Sequence, residues 1–284
     1  MRKLLYSRNI AVVGANSRLS HHLVPELKKL DWGLKLLSLS EISGLRTSER
    51  HQLWMSISEE FDTVVFSAAA IDPSLPKHQL DLINYKIPIA AIQSLSEGSS
   101  PPAIITLGSA LEGIASDNFY IDTKNRLSLE CASLQFGNWT HLRTHTLLGS
   151  APPPQHMLMG QLLSALKHKS DFTVHGTHQV REYLHYEQFA AFIVDLLLGE
   201  VETSAGVHQV GGKEKTILYP LVEQIMKKYN PKSTLFVNEN LSWRTDQTLL
   251  NARSNDFELN NPTGLDLALS LIPGWLAQST EDSE

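Results

Sequence analysis

Residues 9–30 read NIAVVGANSRLSHHLVPELKKL. Asn9 to Gly14 is a short apolar run with β-branched residues, followed by a polar turn and then a helical pattern from Ser17 to Leu30. The order is strand, turn, helix. A second apolar run from Leu34 to Leu39 follows at once, then a polar helical stretch from Thr47 to Glu60 and a third strand from Thr63 to Ala70. The alternation predicts a helix over 78–96, a strand from Ala103 to Leu107, a helix over 118–135 and a strand from Thr140 to Thr146.

Continuous apolar strands that alternate with helices indicate a parallel sheet covered on both faces, because right-handed crossovers place the helices there. The expected fold class is α/β, a doubly wound, Rossmann-like parallel sheet with a small C-terminal substrate-binding lobe. Residues 1–150 are read as the nucleotide-binding region, and 151–284 as the last sheet strands plus the lobe, in one integrated domain. Pro152 to Pro154 break the chain before a helix over 156–168. Further helices are expected over 187–198, 217–229 and 264–272, with short strands over 172–175, 206–210 and 233–237.

A chain of 284 residues buries a sizeable core, and its net charge of −6 is spread without the basic stripe that a nucleic-acid binder needs. Cys131 is the single cysteine, which excludes an internal disulfide and fits a reducing, cytoplasmic compartment. No window approaches the ~20 apolar residues of a bilayer span. The histidines lack metal-ligand spacing, and no GxSxG pattern is present, so neither a metal centre nor a serine hydrolase is expected.

Chemistry concentrates at three places. The first βα turn, Gly14-Ala15-Asn16-Ser17-Arg18-Leu19-Ser20, stands where a dinucleotide-binding fold keeps a glycine-rich loop under the pyrophosphate. Only Gly14 remains of the glycines, so the segment reads equally as a phosphate site or as an ordinary βα turn. At the end of the second strand, where an acid usually accepts from the adenosine ribose, this chain has Ser40. A neutral residue there, with Arg18 in the loop, tolerates a 2′-phosphate and favours NADP(H) over NAD(H), although Glu41 is also placed to serve the ribose. Finally, Tyr120-Ile121-Asp122-Thr123-Lys124 puts a phenol and an ammonium on one helix face, where the cation stabilises a phenolate.

In the order of these segments the chain resembles the extended short-chain dehydrogenase/reductases, in particular the NAD-dependent epimerase/dehydratase family that acts on nucleotide sugars. The matching segments are VVGANSRLS, the strand ending FSAAA, Asn84 in LINYKIP, YIDTK, LRTHTLLG, REYLHYEQFAAFI, GVHQVGG and NPTGLDLALSLI. The resemblance implies that Tyr120 is the catalytic tyrosine and that Lys124 binds the nicotinamide ribose. It places Gly14, Asn16, Ser17, Arg18, Leu19 and Ser40 at the dinucleotide, with Ala68, Ala69 and Ala70 lining its groove. Asn84 would anchor that region, and Thr144 and His145 would line the nicotinamide pocket.

The family's substrate-polarising Ser or Thr falls on Gly108 when counted back from Gly113; Ser109, one residue along, is taken for the role, with Thr106 as the alternative. Arg181 and Arg253 would meet the substrate's diphosphate. Ala110 and Leu111 stand where the 4,6-dehydratases of the family carry an Asp-Glu pair, and Cys131 is away from the place of an epimerase cysteine. Hydride transfer with one proton-moving tyrosine is left, as in a keto-sugar reductase or a 4-epimerase acting on a nucleotide-sugar substrate. A homodimer through the YxxxK helix and the helix before it is expected by the same resemblance. The other reading is a non-catalytic nucleotide-binding or protein-interaction relative of the same fold.

Overall fold

The structure is a computed structural model that describes residues 9–114, 118–134, 136–175, 179–238 and 254–281. The elements begin with β1 (Asn9–Val13), α1 (Arg18–Lys28), β2 (Gly33–Leu37), α2 (Leu39–Gly44), α3 (Thr47–Glu60) and β3 (Thr63–Phe66). Then come α4 (Lys77–Asp81), a π-helical turn (Leu82–Lys86), α5 (Ile87–Ser96), β4 (Ala103–Ser109), α6 (Phe119–Ser133) and β5 (Trp139–Thr144). The later part holds β6 (Thr146–Leu148), α7 (Leu158–His168), β7 (Phe172–His175), β8 (Val180–Arg181), β9 (Tyr183–His185) and α8 (Tyr186–Leu198). It closes with β10 (Gly206–Gly212), β11 (Thr216–Ile217), α9 (Leu218–Tyr229), β12 (Leu235–Asn238), β13 (Phe257–Leu259) and a last helix Gly264–Glu281.

The chain forms two compact units, Met1–Thr144 with Phe189–Val210, and His145–Gln188 with Gly211–Glu284. In the first unit six strands pair in the order β2-β1-β3-β4-β5-β10, every pair parallel. The expected doubly wound sheet is present. Its strands are apolar on both faces because helices cover both: Ile10 to Val13 are all fully buried, as are Val64 and Val65. In α1, Leu19, Leu23 and Leu27 recur every four residues and are all buried, so one stripe of the helix faces the sheet. Burying a leucine of this kind stabilises the fold by about 2 kcal/mol.

The direction of chain winding reverses at β1. From β1 the chain steps to β2 on one side, then crosses back to β3 on the other. The carboxyl ends of β1 and β3 therefore flank a topological switch point, where the diverging loops leave an opening for a ligand.

The second unit packs α7, α9 and the last helix around Leu162, Leu221, Ile225, Ala268 and Trp275. The Trp275 indole N–H donates to the Gly149 carbonyl at 2.8 Å, which satisfies the one polar atom of an otherwise buried ring. Short two-stranded sheets, β6 with β9, β7 with β12 and β8 with β11, complete it.

The helix expected over 78–96 contains a break in period. Ile87 N–H donates to Leu82 O, five residues back, so the segment passes through one π turn at Leu82–Lys86. The strand expected to run to Leu39 stops at Leu37, because Ser38 caps α2: its hydroxyl accepts from Glu41 N and its own N–H donates to the Glu41 carboxylate.

Candidate functional site

At the switch point the loop after β1 meets the end of β3. Gly14 has φ +98°, and a β-carbon there would stand 2.3 Å from the Ala68 methyl carbon and 2.9 Å from Ala68 N. Only glycine satisfies both constraints. Gly14 N and Ala15 N donate to Leu37 O at 2.7 and 3.1 Å, and Ser17 N donates to Gly14 O at 2.9 Å, which ties the turn to β2 and closes it on itself.

The serines at the positions of the missing glycines face inward. Ser17 caps α1 by accepting from Ser20 N at 3.1 Å, and the Ser20 hydroxyl bonds Gly14 O at 2.8 Å and the Ser67 hydroxyl at 2.7 Å. Ser20 is buried, so its side chain fills the space under the loop instead of projecting above it. Leu19 also points its side chain into the core, while the N–H groups of Arg18 and Leu19, at the start of α1, have no intrahelical acceptor. Asn16 is exposed at the tip of the turn. A pyrophosphate fits this cradle: the turn approaches closely at Gly14 and ends on the positive end of α1.

Asn84 is fully buried and grips the segment after β3 with both ends of its amide. Oδ1 accepts from Ala70 N at 2.9 Å, and Nδ2 donates to Ala70 O at 2.8 Å. The π turn is what brings this side chain to bear on Ala70. The backbone from Ala68 to Ala70 is thus held by a side chain from another element, with only methyl groups presented along it.

At the end of β4, Lys124 on α6 is buried, and its ammonium donates to Leu107 O at 2.8 Å. Burial draws its pKa down from 10.5 to about 8, opposed by the charge of Glu112. Tyr120, one helical turn before it, is half-buried near the start of α6, whose Asn118 cap accepts from Tyr120 N at 2.9 Å. Ser109 ends β4 and is the register partner of Thr144 at the end of β5. Its hydroxyl accepts from Leu111 N at 3.2 Å, which leaves its own hydrogen to be donated.

Thr106, the alternative to Ser109, is buried with its hydroxyl between the Trp139 indole N–H at 2.8 Å and His141 Nδ1 at 2.7 Å. That hydroxyl serves the interior. Gly108 carries no side chain, and a β-carbon there would stand 2.2 Å from both Glu112 Oε1 and His141 Nε2.

The sequence reading missed Glu112, His141 and Arg143, which form a polar cluster directly behind the Gly108-Ser109 turn. Glu112 Oε1 accepts from Ser109 N at 2.6 Å, while Oε2 accepts from His141 Nε2 at 2.9 Å and Arg143 Nε at 3.0 Å. The signal available was a histidine and an arginine on one face of the strand WTHLRT and an acid in the apolar run ALEGI. Burial works against the Glu112 charge, but these three donors outweigh it and hold its carboxyl at about 2. Burial also pushes the His141 pKa down, with Glu112 opposing.

The other expected residues sit in their own surroundings. Ser40 is exposed in the first turn of α2, two residues beyond Ser38 at the strand end, and the Glu41 carboxylate is engaged in capping α2. His145 and Arg181 belong to the second unit. There His145 Nε2 is 3.5 Å from Glu182 Oε1, and the Arg181 guanidinium donates to Gln179 Oε1 at 2.6 Å. Glu182, also missed from the sequence, is buried, accepts from Gly212 N at 3.0 Å and Asn255 Nδ2 at 2.9 Å, and has its pKa raised by burial. Arg253 lies outside the described residues. Cys131 is buried with its thiol pushed up to about 12 by desolvation, an inert group. Among the described residues no helix is long and apolar enough to cross a membrane.

No family model and no curated protein sequence matches the chain. Solved structures do. UDP-glucose 4-epimerase of Thermotoga maritima, solved with UDP-glucose, is 13% identical with a TM-score of 0.67, over 96% of this chain and 99% of that one. MoeE5, solved with UDP-glucuronic acid and NAD, is 15% identical with a TM-score of 0.66, over 95% of this chain and 99% of that one. A dTDP-glucose 4,6-dehydratase of Bacillus anthracis in complex with NAD is 13% identical with a TM-score of 0.66, over 96% and 97%. The chain therefore has, over nearly its whole length, the Rossmann-like fold of the NAD-dependent nucleotide-sugar epimerases and dehydratases.

Proposed function

We propose that the protein is a nicotinamide-dependent oxidoreductase acting on a nucleotide-linked sugar, as a keto-sugar reductase or a 4-epimerase. The observation that carries this reading is Lys124: a buried ammonium held by the Leu107 carbonyl near the end of β4, one helical turn from Tyr120 and at the carboxyl edge of a parallel sheet. Burying a charge there costs stability that a purely structural side chain would not need to spend.

The cradle at Gly14, the N–H groups at the start of α1, the Ala68–Ala70 segment held by Asn84, and Lys124 would hold the dinucleotide. When bound, a nicotinamide supplies hydride exchange with a carbonyl or carbinol carbon. Tyr120 gives its phenolic proton to the keto oxygen, or takes it from the hydroxyl in the reverse direction. Lys124 stabilises the phenolate that results, and Ser109 donates its hydrogen to the same oxygen.

Elimination of water is not part of the proposal. Ala110 and Leu111 carry no acid, and Glu112, the next residue, is fully buried and bonded to three donors. The neutral Ser38, which follows β2, and Ser40 in the first turn of α2, with Arg18 at the start of α1, support NADP(H) over NAD(H). A homodimer through α5 and α6 is part of the same reading, supported by Leu129 on α6, which is 70% exposed.

The test is a titration of the protein with NADPH and NADH, followed by nicotinamide fluorescence, on wild type and Lys124→Ala. Micromolar binding that weakens at least about tenfold in the variant supports the reading and justifies assays with keto-sugar nucleotides. The absence of a side chain at Gly108 favours one other reading, a non-catalytic relative. Failure of folded wild type to bind either cofactor would put that reading first.

A further inference from the structure

The space behind the Gly108-Ser109 turn is filled in a way that ties the proposed reaction site to an acid outside it. We propose that Glu112 is the positioning residue of this site: its buried carboxylate fixes Ser109 through the main chain and serves as counter-ion to Lys124, in the volume that a side chain at 108 would occupy. This inference rests on the reading of Ser109 and Lys124 given above.

The geometry is closed on every side. Glu112 N donates to Ser109 O at 3.0 Å while Ser109 N donates to Glu112 Oε1 at 2.6 Å, so the two residues clamp each other across the turn. Ala110 N donates to Thr144 O at 3.0 Å, which joins the clamp to β5. A β-carbon on Gly108 would fall 2.9 Å from the Glu112 carboxyl carbon and closer still to its oxygen, so the clamp and a side chain at 108 exclude each other.

The proton positions follow from the partners. Trp139 Nε1–H is only a donor, so Thr106 Oγ1 accepts from it. Burial favours the neutral His141 ring, and with its hydrogen on Nε2, where it donates to the Glu112 carboxylate, its Nδ1 accepts the Thr106 hydrogen. The cluster holds one anion, Glu112, and two cations, Arg143 and Lys124.

Among the described residues, the Leu107 carbonyl and Glu112 face Lys124 from β4 and its loop, and His141 from β5. On α6 itself, Tyr120 lies one turn before it and Asp122 is exposed. Arg126 and Glu130 turn toward the preceding helical segment, where Arg126 pairs with Asp81 at 2.7 Å and Glu130 accepts from the Tyr85 hydroxyl. Glu112 is therefore, among the described residues, the anion that supports the Lys124 charge, and without it the buried ammonium loses that support.

The test follows Lys124 Nζ by NMR in the full-length, lysine-labelled protein without cofactor, assigned by its loss in Lys124→Met. Wild type is expected to titrate at about 8, and Glu112→Gln at a midpoint lower by about one pH unit or more. An unchanged midpoint overturns the proposal. Should Glu112→Gln fail to fold, the Ser109 amide of wild type decides: it stays flat from pH 7 to pH 3 if Glu112 is ionised throughout, and a titration with a midpoint between pH 4 and 6 overturns the clamp.

The cofactor enters only as a second readout. NADPH affinity of Glu112→Gln should fall about threefold at pH 7.5, the loss of charged Lys124 that a one-unit shift from about 8 brings, and recover toward wild type at pH 6, because acid restores the ammonium. A purely structural role would lower affinity equally at both. If wild type binds no nicotinamide at all, the proposed function fails while the Lys124 midpoint still judges Glu112.

Discussion

The Ala68 methyl occupies the place next to Gly14 that a side chain at 14 would need, 2.3 Å from the position of an ideal β-carbon. Gly14→Ala should destabilise the protein by about 2–4 kcal/mol, part from positive φ and part from crowding. Ala68→Gly in that background relieves only the clash with the methyl, leaving the backbone contact and the positive φ. Urea unfolding of the two single variants and the double variant separates the contributions. Full additivity would mean that the two residues do not meet.

Ser20→Gly restores a glycine to the loop and should not improve dinucleotide binding. Its hydroxyl bonds inward, to Gly14 O and Ser67, so the substitution removes internal hydrogen bonds and costs about 1–2 kcal/mol in chemical denaturation. Tighter NADPH binding in this variant would instead show the serine obstructing the groove.

Asn84→Ala should lower stability by about 2 kcal/mol, since both polar groups of Ala70 lose their partner. Hydrogen exchange at the Ala70 amide should accelerate more than exchange at the β3 amides. In a cofactor titration the affinity should drop further than the change in stability alone would bring about, because the segment Ala68–Ala70 is freed.

Stability should respond to pH on both sides of neutrality. His141 is held neutral in the folded protein, whereas an unfolded histidine takes up a proton near its ordinary value of 6.5, so acid below that value favours unfolding. Glu112 adds to this below its ordinary value of 4.5, since the folded carboxyl stays ionised to about 2. The urea midpoint of wild type should therefore fall in two stages, and a flat midpoint from pH 7 to pH 5 would contradict the neutral His141.

On the alkaline side Lys124 acts with the same sign, so that stability again rises with pH. The unfolded chain keeps this proton to 10.5, but the folded protein releases it at about 8, so stability between those values rises relative to Lys124→Met. Nicotinamide affinity should fall across the same interval. Parallel measurement of unfolding and binding from pH 7 to pH 10 checks both directions.

Most of the sheet was legible because a strand covered on both faces is written as a continuous apolar run; β1, β3, β4 and β5 lie within a few residues of the expected bounds. Tyr120 and Lys124 stand one turn apart on α6, as their spacing and place in the alternation predict, whereas Asn84, which grips Ala70, was pointed to by the resemblance alone. The capping box of Ser38 and Glu41 was present in the sequence, yet the apolar Leu39 between them drew the strand reading onward. The Glu112 cluster was hidden for a different reason: His141 and Glu112 are far apart in sequence, and a buried polar residue declares its partner only once the strands are in register. The π turn left no mark either, since a single residue of extra winding disturbs the apolar period less than ordinary variation does.

That extra residue has a consequence for how the segment tolerates change. Each residue of an α-helix advances the helix by about 100°, so one position gained or lost before Ile87 would rotate Asn84 relative to the buried face of α5. That face includes Ile87, Ile89, Ile92 and Leu95 against the sheet, and Asn84 must meanwhile reach Ala70. Both demands fix the phase. The stretch from Lys77 to Ser96 can thus drift in residue identity while its length is frozen, and a one-residue indel there should be purged where many substitutions pass.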